Sequence, residues 1–383
     1  MYKKITFLYF TVVICIAFIT FTSLYINDPL QVFHKDYQNK SKLLDNMRYQ
    51  AAGLINNFKY DSLILGTSML ANTSTQEAHQ FLGGNFINIS IFGGDFYERS
   101  LLLNHALKTK SIKQVIYSMD DTYLNLTQAS SSQYAYLYDE DFLNDFKIYL
   151  NKKYLLKCFL GFSKKEECTG KGKDIYRPSA WYQEARYKRH FGGLTNLLRN
   201  QENERANEIY KNIASIASKI QQGKKQPLVN IKEKQTDAYN YIDKYLLSIV
   251  KKYPNTQFIL VFPPYSRLVY SQWAQYNLSY YKTHQSVLRY LAKKSDKYHN
   301  LEVYAWADND FLDDIANYKD PNHYSHDINT WMLNAIKDKN GQLNSSNIDA
   351  YIKRIDTKNL NYDLISIGQK INDYFILKEK NKE

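Results

Sequence analysis

Residues 61–74 read "DSLILGTSMLANTS", and the fold turns on how that stretch is read. The apolar run Leu63-Ile64-Leu65 stops at Gly66-Thr67-Ser68. A short apolar run closed by glycine predicts a buried strand, and "TSMLANTSTQEAHQFL" after it carries helical spacing. Ser68 then has two readings: a cap on the following helix, or a nucleophile at a strand-to-helix turn. The same grammar recurs downstream. "NFINISIFGGD" predicts a second strand ending in a glycine turn, "ERSLLLNHALKTK" a helix and "KQVIYSMD" a third strand. Later come the strands "QFILVFPPYS" and "LEVYAWA", among the helices "DAYNYIDKYLLSIVKKY", "YYKTHQSVLRYLAKKS", "DINTWMLNAIK" and "LISIGQKINDYFIL". Alternating strands and helices predict an α/β fold on a parallel sheet with right-handed crossovers.

This rhythm covers about 60–126 and 235–345. Between them, about 126–235, lies a Tyr-, Lys- and Asn-rich segment that contains "NEIYKNIASIASKIQQ" and is expected to be a mostly helical insertion. Residues 346–383 are expected to form a C-terminal helical extension, and 28–59 a polar juxtamembrane stretch running into a short helix. Ahead of them, "ITFLYFTVVICIAFITFTSLYI" (5–26) carries no charge over about the twenty residues that a bilayer requires. Lys3 and Lys4 precede it, and the bulky exit "FTSLYIND" lacks the small residues of a cleavage site. Residues 1–27 therefore predict an uncleaved single-pass anchor with its N-terminus inside and the main domain outside.

The 383-residue chain has a formal charge of +12, but its lysines are scattered and no nucleic-acid motif is present, so no nucleic-acid partner is expected. Its 35 tyrosines fit either the codon bias of an AT-rich genome or an aromatic groove for sugars. There are three cysteines. Cys15 lies in the anchor, while Cys158 and Cys168 are close enough in sequence to staple a loop in an oxidising compartment. Phosphate loops, Cys-x-x-Cys metal sites and a dinucleotide fingerprint are missing, so neither a metal nor another cofactor is expected.

In an open parallel sheet, reactive groups gather at the carboxyl ends of the strands. Those ends carry Ser68, then Gly93-Gly94-Asp95, then Asp120-Asp121. Late in the chain, "YKDPNHYSHDINTWML" sets Asp320 three residues before His323, a spacing that lets a carboxylate hold an imidazole while its other nitrogen faces a serine. His326 is a rival base without that spacing. Asp95 and Arg99 are candidates for lining a substrate cleft, although a helix cap and a solvated face explain them equally well; Tyr265 and Arg267 are further candidates, for which a turn role is the better explanation.

Taken together and in order, "LILGTSM", "NISIFGGD" and "DPNHYS" resemble the SGNH (GDSL-like) hydrolase superfamily. The resemblance spans roughly 60–126 and 235–340. It implies a three-layer sandwich around a central parallel sheet, with a Ser68–His323–Asp320 triad and an oxyanion hole from the amides of Ser68 and Gly93. Two positions depart from the family pattern. Thr67 replaces the Asp of Gly-Asp-Ser, and Asp120 stands where the third block has its oxyanion Asn, so that either a protonated Asp120 donates to the oxyanion, or another donor serves, or the oxyanion hole is weaker. The form is closest to the membrane-anchored branch of alginate O-acetylation and teichoic-acid D-alanylation proteins, where the last motif reads Asp-x-x-His-[Tyr/Phe]-[Ser/Thr]. That branch implies an esterase or O-acyltransferase acting on an acyl ester of a bacterial cell-envelope glycan beside a membrane acyl-donor protein. A degenerate domain that binds glycan or scaffolds an envelope complex is the alternative.

Overall fold

In the computed structural model, residues 2–35, 42–43, 46–126, 133–159, 168, 171–172, 174–200 and 204–380 are described. Five parallel strands form the sheet: β1 Ser62–Leu65, β2 Phe86–Asn88, β3 Gln114–Ser118, β4 Gln257–Phe262 and β5 Leu301–Ala305. Their order is β2-β1-β3-β4-β5. All four residues of β1 are buried, as a strand flanked by neighbours on both sides requires. Register sets Leu65 against Tyr117 and Ile64 against Asn88, so the turns after β1, β2 and β3 emerge at one level.

The chain runs from β1 outward to β2, then back past β1 to β3. The crevice at such a reversal is where open parallel sheets bind ligands. Helix α1 is Tyr2–Asn27, α2 Met47–Asn57, α3 Thr75–Leu82 and α4 Phe96–Thr109. Helix α3 packs on the helix His326–Lys337, and α4 packs on α2. The core joins sheet and helices through residues such as Leu63, Ile64, Val115, Phe258 and Val303. Each large apolar side chain so buried contributes about 1.5–3 kcal/mol.

Helix α1 is long and apolar enough to cross a membrane, and its most apolar window is wholly unburied by the rest of the protein. Three expectations change. The helix after β1 starts at Thr75 with Ser74 as its cap, so residues 68–72 form a turn and Ser68 caps nothing. The expected polar tether after α1 is partly interior, with Leu30 and Val32 buried. The described part of the insertion before Glu204 is built from short helical turns, and its longest helix is Glu204–Gln221, which packs on the C-terminal helix Leu364–Lys380. Cys168 is buried and disulfide-bonded, while the side chain of Cys158 lies outside the described residues.

Candidate active site

The turn after β1 is held in place before any chemistry is considered. A side chain at Gly66 would put its Cβ 2.6 Å from the Ser118 hydroxyl and 2.9 Å from Leu70, so only glycine lets the chain turn here against β3. The Gly66 amide donates to the Ser90 hydroxyl (3.1 Å), and Ile91 N–H donates to Gly66 O (2.8 Å), which ties the exit of β2 to the turn. Tyr324 hydroxyl and Asn329 Nδ2 both donate to Met69 O, each at 2.9 Å. The turn that carries Ser68 is thus pinned from the sheet below and by Tyr324 and Asn329 beside it.

On this turn Ser68 is partly exposed, and its Oγ lies 2.7 Å from His323 Nε2. His323 Nδ1 faces Asp320, 2.8 Å from Oδ2 and 2.9 Å from Oδ1. Asp320 Oδ1 also accepts the amides of Asn322 (3.0 Å) and His323 (2.9 Å), which fixes the Asp-x-x-His turn. Lys319 Nζ sits 2.9 Å from Asp320 Oδ2 and over the rings of Trp181 and Tyr187, 4.7 Å from each centroid. Burial raises the Asp320 pKa, but the charges of His323 and Lys319 and their hydrogen bonds outweigh it and hold the carboxyl well below the usual range. Its contribution to stability is therefore complete above the ordinary carboxylate pKa of about 4 and is lost only as pH falls toward the lowered folded value.

Thr67, Arg99, Ser118 and Asp120 form a separate buried network. Thr67 Oγ1 donates to Asp120 Oδ1 at 2.6 Å, and Arg99 Nη1 lies 3.1 Å from Asp120 Oδ2. The Ser118 hydroxyl donates to the same carboxylate oxygen, and Arg99 lies over the Phe96 and Tyr117 rings, 4.6 and 4.5 Å from their centroids. Asp120 is therefore an ion-paired acceptor turned into the protein, which disfavours the alternative in which it donates to the oxyanion. Among the described residues, the amides of Ser68 and Gly93 donate to no protein acceptor. Gly93 is exposed with φ +61°, and the Arg48 guanidinium holds the preceding carbonyl of Phe92 at 2.9 Å.

The remaining cleft candidates make structural contacts. Asp95 caps α4 through the Glu98 amide (2.8 Å). Arg99 and Arg267 are wholly buried. Arg267 is held by Asp313, Asn359 and the carbonyls of Ala307 and Asn309. Tyr265 is interior, packed against Tyr270 and Trp273. His326 stacks on Tyr182 with centroids 4.1 Å apart, leaving His323 as the partner of Ser68. No group of three or more metal-ligating side chains occurs among the described residues.

Sequence reasoning missed Trp181. This insertion residue donates its Nε1 hydrogen to Ser68 O (2.9 Å), and its ring meets that of His323 edge-on at 5.6 Å. Asn72 Oδ1 accepts the amides of Trp181 (3.0 Å) and Tyr182 (3.3 Å), so residues of the insertion lie directly over the serine turn. We expect Trp181→Phe to keep the edge contact but lose the hydrogen bond with little change in Tm and, on any ester that the Ser68–His323 pair cleaves, to lower kcat/KM roughly 3- to 10-fold. Steady-state kinetics on an aryl ester checks this.

Asp121 opens a short turn after β3, and its amide meets the Tyr265 hydroxyl at 3.4 Å. Burial, and then the charge of Asp120, push its carboxyl up to about 6. The folded protein binds this proton more tightly than the unfolded chain, so stability falls as pH rises from about 4 to about 6 and the penalty is constant above that. Asp121→Asn is expected to stabilise the protein by on the order of 1–2 kcal/mol at pH 8 and by nothing at pH 4. Denaturant melts at the two pH values test the difference.

In comparisons with known proteins, the chain matches no family model, no curated protein and no solved structure.

Proposed function

We propose that the chain is an SGNH-like, membrane-anchored serine enzyme that cleaves or transfers an acyl group, with acetyl the favoured one, held as an ester on a cell-envelope glycan. The 2.7 Å approach of Ser68 Oγ to His323 Nε2, with Asp320 on the other nitrogen, is the observation that carries this reading. In this reading the sheet and its helices form the three-layer, flavodoxin-like sandwich of that superfamily. Ser68 Oγ bonds to the acyl carbon while its proton passes to His323 Nε2, and Asp320 holds the ring and offsets its new charge. The amides of Ser68 and Gly93 take up the oxyanion. Collapse breaks the ester C–O bond, and the leaving alcohol takes the proton from His323. Water or a sugar hydroxyl then attacks the acyl-serine with His323 as base, which makes the reaction hydrolysis or transfer respectively. The anchor, with α1 in the bilayer and the domain on its outer, extracytoplasmic side, favours transfer from a membrane acyl-donor partner.

Asp120 supports a second reading, a glycan-binding or scaffold module, because an ion-paired carboxylate supplies no donor where the family uses Asn. A fluorophosphonate probe separates the two. The enzyme is expected to gain one covalent adduct on Ser68, seen by peptide mass, whereas absence of labelling in folded protein sinks the catalytic reading.

A further inference from the structure

Resting on the reading of α1 as a membrane anchor, we propose that the exposed face of residues 142–150 lies in the interfacial layer of the same bilayer, so that the domain is seated on the lipid rather than tethered above it. The exit from α1 has no slack. Leu24 is already buried, and Asp28 accepts the amides of Val32 (3.0 Å), Phe33 (2.8 Å) and His34 (3.0 Å) together with the Tyr149 hydroxyl. Tyr149 in turn accepts the Leu30 amide at 3.1 Å, and His34 Nε2 meets Tyr25 O at 2.6 Å. A chain knotted in this way cannot swing the domain away from the helix end.

A ladder of rings extends the contact along the helix itself. Phe33 packs on Tyr25 (5.6 Å between centroids), on Phe142 (5.2 Å) and on Phe146 (4.3 Å), and Phe146 meets Phe21 edge-on at 5.2 Å. Phe21 precedes the end of α1 at Asn27 by a turn and a half or more, about 9 Å along the axis. The segment carrying Phe146 therefore flanks the apolar span instead of lying beyond it. On its outer side Phe142 is 54% exposed, Leu143 77% and Leu150 46%, and Lys147, Lys152 and Lys153 are exposed beside them. Large apolar side chains at the level of a membrane span, with lysines that can reach back to water, are the composition of an interfacial segment. Asp139, Glu140 and Asp141 precede the patch, so the apolar side chains, rather than attraction to anionic lipid, carry the contact.

The test uses the full chain reconstituted in phosphatidylethanolamine–phosphatidylglycerol vesicles and labelled with an environment-sensitive nitrobenzoxadiazole dye. One protein is labelled at native Cys15, the free cysteine of α1, a second at Leu143→Cys and a third at Leu360→Cys, the last two in a Cys15→Ser background. Leu360 is 54% exposed on the helix Ile348–Asn361, which packs on the helices Arg267–Gln275 and Leu278–Lys297, and it serves as the aqueous reference. Doxyl-labelled lipid is expected to quench Cys15 and to remove about half of the Leu143 signal while sparing Leu360. Quenching at Cys15 with none at Leu143 overturns the seating and leaves the anchor intact. No quenching at Cys15 overturns the anchor and the seating together. Both replaced leucines are exposed, so neither change removes a core contact.

Discussion

Ser68→Ala should reduce kcat on an aryl acetate ester by a factor of about 10³–10⁵ and abolish fluorophosphonate labelling, while leaving Tm within about 1 °C. The contrast follows from what Ser68 touches. Its hydroxyl is partly exposed and engages His323, whereas the backbone of the turn is secured by Gly66, Tyr324, Asn329 and Trp181 independently of that hydroxyl. His323→Ala should cost about as much as Ser68→Ala, and the double variant no more than either, because the two groups act on one proton. Asp320→Asn should cost about 10²–10⁴ in kcat, since the amide no longer fixes the ring tautomer or offsets the imidazolium charge. An additive double variant, or a Ser68→Ala protein with unchanged turnover, is incompatible with the proposed mechanism.

The contact of Ser68, His323 and Asp320 was legible only in part from local pattern, a strand-ending glycine before Ser68 and a three-residue spacing from Asp320 to His323, and it was the resemblance in chain order that joined the two. The parallel sheet was legible from local pattern, since buried central strands leave continuous apolar runs such as "SLIL" and "QFILVF". What escaped depends on contacts between residues far apart in the chain. Trp181 reaches Ser68 across more than a hundred residues, and an isolated Trp in a Tyr-rich segment has no periodicity to announce it. Tyr265 and Arg267 follow a strand end and so looked like cleft residues, yet they face inward, and only the packing around them reveals this. Lys319 adjoins Asp320 in sequence, but the aromatic pair that holds its ammonium over the site comes from the insertion.

Asp120 is paired with Arg99 in the interior, and this pairing predicts a large stability effect. Arg99 has no exposed side-chain surface and Asp120 almost none (0% and 4%), so each charge depends on the other and on nearby hydroxyls. Arg99→Met removes the cation, keeps much of the packing against Phe96 and Tyr117, and strands a carboxylate that only Thr67 and Ser118 hydroxyls still serve. Breaking a buried pair in this one-sided way costs about 3–5 kcal/mol, or on the order of 5–15 °C in Tm. Arg99→Met combined with Asp120→Leu should recover much of that loss, because no buried charge is left unpaired. The double variant also separates support from catalysis. If Asp120 acts only by anchoring Thr67 behind the nucleophile, a refolded double variant keeps its Ser68 labelling with a modestly lower rate. Complete loss of labelling in a double variant with restored Tm would instead give Asp120 a direct part in the chemistry.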